Sequence, residues 1–191
     1  SLGVVPTNAD DVVDSLLKAA GLTGDEVVRT RSSGDKVLRQ ALREDYDITA
    51  LSRKVASAWQ IHCGSEELEN LLDKDSRQLF KDWSWGRQIV DLLREFPASK
   101  TEAQHLVDIL RMLPARLYSI SSSPREHDGE VHLTVAAVRY EGYGLARKGV
   151  ASTCLADLVG EGDMVPVFVT PNKRFRPVSY THLRAHETFA N

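Results

Sequence analysis

Cysteine is scarce in this chain. Cys63 and Cys154 stand far apart and form no CxxC pair, which excludes a disulfide framework. They read as two small buried side chains, a usage that fits a reducing, cytoplasmic compartment. Basic charge is not in excess: 24 Lys and Arg face 27 Asp and Glu, a formal net charge of −3. No global field gathers nucleic acid or an anionic membrane, although a local basic cluster can still hold a small anion. No apolar run approaches the ~18 residues of a membrane helix. Residues 1–11 lack a basic n-region, so no signal peptide is expected. There is no internal repeat, no low-complexity stretch and no P-loop. Gly142-x-Gly144-x-x-Arg147 lacks the third glycine of a dinucleotide fingerprint and does not lead from a strand into a helix.

What is present is ordinary globular composition: 191 residues, 42% hydrophobic and 27% charged. A chain this long buries roughly 70% of its unfolded surface and forms one domain, or one plus an insertion. Residues 2–6 read as a strand end that wants a partner. A helix follows, with Asn8 as N-cap, Asp10 and Asp11 in its first turn, an apolar face of Val12, Val13, Leu16, Leu17 and Ala20, and Gly21 as its stop. Residues 26–30 are a short strand, and Gly34 marks a turn.

Residues 36–113 read as helical almost throughout. The faces are Val37, Leu38, Ala41 and Leu42; Leu51, Val55, Ala58 and Ile61; Leu68, Leu71 and Leu72; Leu79, Phe80 and Trp83; and Ile89, Leu92, Leu93 and Phe96. A capping box of Thr101 and Gln104 opens a last helix with Leu106, Val107, Leu110 and Leu113 on its face, and Pro114 ends it. The period then changes to two. Residues 117–121 and 131–140 read as strands, 141–149 as a glycine-bearing loop, 151–159 as a helix and 164–170 as a final strand. Runs of helices apart from runs of strands point to an α+β fold, or to a helical insertion in a sheet domain.

The chemistry concentrates after Pro114. On a strand, Arg116 and Tyr118 share one face while Leu117 and Ser119 share the other. A fixed cation beside a flat aromatic suits a ligand with a phosphate and a planar ring. Taken alone, the pattern also describes an exposed arginine and a half-buried tyrosine on an edge strand. Gly149-Val150-Ala151-Ser152-Thr153 precedes a helix whose first N–H groups lack internal partners, an anion site in principle. Arg147 and Lys148 raise the local potential there. The same residues also describe a glycine turn with a Ser/Thr cap.

Other conspicuous residues read blandly. Trp59, Trp83 and Trp85 are helix-packing aromatics, and Glu66, Glu67 and Glu69 form a solvated helix face. His62, His105, His127 and His132 are not expected to cluster, and no Ser-His-Asp order is inferred.

In this order, Arg116-Leu117-Tyr118-Ser119-Ile120-Ser121-Ser122-Ser123, Val131-His132-Leu133-Thr134-Val135, Val138-Arg139-Tyr140 and Gly149-Val150-Ala151-Ser152 with Leu155-Ala156-Asp157 resemble the FAD-binding region of the diflavin NADPH reductases. Leu2-Gly3-Val4 and Pro6-x-Asn8 resemble that family's barrel strand entering its first helix. Residues 139–141 and 147–152 look most like its bacterial sulfite reductase branch. The resemblance covers about residues 1–177. It implies an antiparallel Greek-key FAD-binding β-barrel of ferredoxin-reductase type, N-terminally truncated, in residues 1–35 and 114–177. An inserted all-helical connecting domain would occupy residues 36–113.

Roles follow from the resemblance. Arg116 would bind the FAD pyrophosphate, with Gly149, Val150, Ala151 and Ser152 cradling it. Tyr118 would pack against the isoalloxazine ring, next to Leu117, and Ser119 would lie near flavin N5. Thr134, Val135 and Ala136 would line the pyrimidine end; family members usually carry glycine at Ala136. Tyr140 would contact the cofactor from the same ribbon, and Thr49 and Gly86 would do so from the helical insert. Hydride would pass from NADPH to FAD and electrons then singly to FMN, the flavin supplying the redox chemistry. A flavodoxin-like FMN domain, an NADPH domain and a haem-bearing sulfite reductase subunit are the implied partners, with neither nucleic acid nor membrane.

No FMN domain is read before Ser1 and no NADPH domain after Pro177. The expectation is therefore a fragment with a cofactor site, inactive by itself. Residues 178–191 look like the translated read-through of a sequencing-library adapter, and no zinc site is expected from His182 and His186. Two alternatives stay open: an NADPH–cytochrome-type reductase, and a cofactor-free barrel-and-helix module that binds a protein.

Overall fold

A computed structural model describes residues 1–32 and 34–171. The tail at 178–191, with His182 and His186, lies outside the described residues. In chain order the elements are β1 (Leu2–Val4), α1 (Asp10–Ala20), β2 (Val27–Thr30), β3 (Gly34–Val37), α2 (Leu38–Glu44), β4 (Tyr46–Asp47), α3 (Arg53–Cys63), α4 (Glu66–Leu71), a 3-10 turn (Lys74–Ser76), α5 (Arg77–Ser84), α6 (Ile89–Glu95), α7 (Ala103–Ile109), β5 (Arg111–Met112), β6 (Arg116–Tyr118), β7 (Arg139–Gly142), β8 (Leu145–Lys148), α8 (Val150–Thr153), a π turn (Cys154–Leu158) and β9 (Val167–Val169).

The fold is mixed α and β with antiparallel sheets. β1 does find partners: it is the central strand of the order β6-β1-β9. Gly3 lies opposite both Leu117 and Phe168. A Cβ there would come within 2.3 Å of the Phe168 ring, so the strand accepts only glycine without displacing that side chain. The remaining pairs are β2-β3, β4-β5 and β7-β8. Among the described residues these sheets do not close into a barrel.

The main core is helical. Val13, Leu16 and Leu17 of α1 share one buried cluster with Leu38 and Leu42 of α2, Leu92 and Leu93 of α6, and Leu106 and Val107 of α7. α1 ends where expected, at Gly21 in the left-handed region (φ 69°). Its start differs: Asn8 is no N-cap but is buried. Its Nδ2 donates to Leu42 O (2.7 Å) and Tyr46 O (2.8 Å), satisfying a carbonyl in the last turn of α2 that has no helical partner. The capping box also falls elsewhere. Gln88 and Asp91 form one at α6, whereas α7 begins after Glu102 with no side-chain cap. Gln104 instead brackets Arg29, accepting from its N–H and donating to its carbonyl.

Several helical faces shift. α3 buries Val55, Ala56 and Trp59 and leaves Ile61 exposed; Val37 and Leu79 are exposed as well. The segment 131–140 does not form the long strand. Alternation permits an extended chain, but a strand needs a hydrogen-bonded neighbour: Leu133 makes an isolated bridge to Ile120, and regular pairing begins only at Arg139 and Tyr140, which open β7. The glycine loop at 141–149 is a hairpin. Tyr143 (φ 52°) and Gly144 (φ 70°) make the two-residue turn with both central φ positive that matches strand twist.

Candidate cofactor site

The site builds on β6, set on the core sheet by its ladder to β1. Arg116 lies opposite Val4 and Tyr118 opposite Leu2, so both share the face over those two buried residues. Arg116 is exposed and makes no ion pair among the described residues. Arg111, Arg139 and Arg147, by contrast, each hold an aspartate. Tyr118 is half-buried. Burial pushes its phenol above the usual tyrosine value; the Arg116 charge pulls the other way and the Cys154 side chain adds to the rise. Tyr118 thus lies within electrostatic reach of Cys154, at the end of α8. The segment after β1 ties in the same place, with Thr7 N donating to Cys154 Sγ (3.5 Å).

The second half of the site is the start of α8. Gly149 N donates to Val138 O (3.0 Å), Val138 N donates to Ser152 Oγ (3.1 Å), and Ser152 Oγ donates to Gly149 O (3.2 Å). A Cβ at Gly149 would stand 2.7 Å from Ser152 Oγ and 2.9 Å from Val138 Cβ, which explains the glycine. The Ser152 hydroxyl is thus engaged within the turn. The N–H groups of Val150, Ala151 and Ser152 meet no acceptor among the described residues, as expected for a helix start.

The neighbouring charges are not free as expected. Arg147 is buried; its Nη2 donates to both Asp91 oxygens (2.5 and 2.7 Å) and its Nη1 to Gln88 Oε1 (3.2 Å). Lys148 Nζ donates to Asp11 Oδ2 (2.6 Å). These cations brace the hairpin against α6 and α1 rather than raise the potential at α8. The hairpin tip is braced as well: Tyr143 OH donates to Trp85 O (2.6 Å), and the Arg87 guanidinium lies over the Tyr143 ring at 4.3 Å. Sequence reasoning missed Tyr143 and Arg87; the only signal was the Tyr-Gly pair at the turn.

The other expected residues are spread around this frame. Leu117, Ser119, Thr134, Ala136 and Tyr140 are exposed and Val135 is half-buried. Gly86 (φ 71°) sits against the Tyr143 ring. Thr49 donates from N and Oγ1 to Asp47 Oδ1, both at 3.0 Å. Burial pushes the Asp47 carboxyl up, but the Arg111 guanidinium and the N–H groups of Ala50 and Thr49 outweigh it and hold the group below the usual range. Two cavities, of about 330 Å³ beside His62 and His105 and about 220 Å³ beneath Arg147, include none of the expected cofactor residues. Trp59 packs as expected, donating to Phe96 O, but Trp85 is 78% exposed. The histidines do pair: the His62 and His105 rings are 5.4 Å apart and those of His127 and His132 are 4.3 Å apart.

An exposed cation and a half-buried aromatic on one strand, with a short helix nearby whose first N–H groups are unpaired among the described residues, suit a cofactor that carries both phosphate and a flat ring. Such a layout is compatible with a protein that binds a flavin-type cofactor. The chain belongs to the FAD-binding domain family, whose model matches residues 1–154, and FAD is its cofactor. It is 40% identical over 177 residues to the sulfite reductase [NADPH] flavoprotein alpha-component of Bacillus subtilis, covering 92% of this chain and 29% of that protein. The Aliivibrio fischeri protein of the same name is 42% identical over 178 residues, with 92% and 28% covered. That of Photorhabdus laumondii is 38% identical over 177 residues, with 92% and 29% covered. The chain therefore spans about three tenths of the length of the curated relatives it matches. Among the described residues, no helix is long and apolar enough to cross a membrane.

Proposed function

We propose that this chain is the FAD-binding and connecting part of an NADPH-dependent diflavin reductase that serves sulfite reduction in the cytoplasm. In this reading residues 1–35 and 114–177 contribute to a Greek-key barrel, and residues 36–113 form the connecting domain. FMN and NADPH are held by other domains, and a haem-bearing sulfite reductase subunit receives the electrons. FAD, when bound, supplies the chemistry that turns a hydride into single electrons.

The chain's own residues bind and orient. Arg116 offers to the pyrophosphate a guanidinium that holds no acid among the described residues, where a bidentate contact is available. The N–H groups of Val150, Ala151 and Ser152 face the same charge, and Gly149 keeps the turn tight enough to present them. Tyr118, with Leu117, supports the isoalloxazine, Ser119 stands near flavin N5, and Thr134, Val135 and Ala136 border the pyrimidine end. Tyr140, Thr49 and Gly86 complete the contacts.

The observation that carries the reading is Arg116, without an ion pair among the described residues, on the same strand face as the half-buried Tyr118. FAD titration followed by flavin fluorescence tests it. Arg116→Ala removes a charge-assisted contact of about 1.5–3 kcal/mol, roughly a ten- to hundredfold rise in Kd. An Arg116→Ala protein that binds FAD as tightly as the parent removes the basis of the assignment.

A further inference from the structure

The loop between β6 and β7 gathers three metal-ligating side chains that the cofactor site does not use. His127, Glu130 and His132 bring their ligand atoms within 4.8 Å of one another. His132 Nε2 lies 3.1 Å from Glu130 Oε2, and the two imidazole rings tilt at 42° with centroids 4.3 Å apart. The backbone explains how residues so close in sequence converge. Glu126 N and His127 N both donate to Ser123 O, and Glu130 N donates to His127 O, so the chain coils before Gly129. Gly129 (φ 76°) then takes a left-handed conformation that favours glycine. His132 is fixed from the other side: its N–H donates to Ser122 Oγ and its carbonyl accepts from Ser121 N.

We infer that His127, Glu130 and His132 form a binding site for a divalent transition-metal ion of zinc type. Two imidazoles and one carboxylate are the donor set of a three-ligand zinc site, with water in the fourth position. Bonds of about 2.0–2.1 Å place tetrahedral ligand atoms roughly 3.3 Å apart. The His132–Glu130 pair already has that spacing, so only the exposed side chains need adjust to bring His127 in. The ion takes the place of the hydrogen bond between His132 Nε2 and Glu130, because a ligating imidazole nitrogen offers its lone pair. Hard cations are disfavoured, because Mg²⁺ and Ca²⁺ prefer all-oxygen shells. The bound ion would clasp the loop that leaves Ser119–Ser121 and returns to Thr134.

The test is Zn²⁺ competition between the full chain and a chromogenic chelator. The expected result is one equivalent withheld by the parent protein and unaffected by excess Mg²⁺. His127→Ala and His132→Ala should each weaken it roughly tenfold or more, with unchanged circular dichroism. Glu130→Gln, which keeps the shape of the side chain, should weaken it as well. His62→Ala, which tests the other histidine pair, should leave it unchanged. No Zn²⁺ withheld by the parent would overturn the proposal. So would a site that survives the His127→Ala/His132→Ala double substitution, or one that instead disappears with His182→Ala/His186→Ala.

Discussion

Arg147 and Asp91 form a buried bidentate ion pair that joins the β7–β8 hairpin to the first turn of α6. Asp91 also accepts from Gln88 N at 2.7 Å, so one carboxylate both caps the helix and receives the arginine. Breaking a buried pair strands a charge, which costs about 3–5 kcal/mol, whereas replacing both partners with apolar groups costs far less. Asp91→Ala should therefore lower the urea-unfolding free energy by about that amount. Arg147→Met combined with Asp91→Leu should recover most of it, apart from the lost cap. A double variant as unstable as the sum of the single ones would refute the coupling.

This pair shows where sequence reading stops. Spacing made α1 and α6 legible, because their apolar residues recur at helical intervals and Gly21 ends the first of them. It could not show that Arg147 meets an acid 56 positions away, so the sequence leaves its charge to raise the potential at α8. The same limit hid the His62–His105 pair and the two-residue β4–β5 ladder, which exist only through distant partners, whereas His127 and His132 are brought together by the local turn at Gly129. The expected box at Thr101 and Gln104 had the right residue types. Gln104, however, found a better use against the open edge of β2. For the cofactor site, the residue order from Arg116 to Ser152 revealed its class, while the bracing by Tyr143 and Arg87 required coordinates.

Asp47 makes stability depend on pH. Its carboxyl is held below the unfolded value of about 3.9, so the unfolded chain takes up the proton first. The stabilisation is complete above that value and is lost as pH falls through the lower folded one. Asp47→Asn should cost about 1–3 kcal/mol at pH 7, and the gap from the parent should narrow below about pH 4. A constant gap from pH 7 to pH 3 in urea midpoints would exclude this role.

Gly3→Ala should be destabilising by about 1–3 kcal/mol, because the new methyl group meets the Phe168 ring. Shortening that ring with Phe168→Ala should relieve most of the steric part. Thermal melts of the two single variants and the double variant measure the coupling. Strictly additive losses would mean that the ring is not the obstacle.

Tyr118 offers a spectroscopic check on its neighbour. The Arg116 charge draws the phenol pKa down against burial, so Arg116→Ala should move it further up. Difference titrations in ultraviolet light, with Tyr118→Phe as the blank, read this directly. An unmoved phenol would show that the two groups do not sense each other.

The arrangement of β1 between β6 and β9 has a consequence for biosynthesis. Ser1 N donates to Thr170 O and Thr170 N donates to Ser1 O, so β1 waits for a strand translated more than 160 residues after it. The helices encoded between them can settle while translation proceeds, and the central strand can pair with β6, but its other edge stays open until β9 has emerged. A stall or truncation before Val167 would leave Leu2–Val4 with one bare margin, ready to pair with a neighbouring nascent chain.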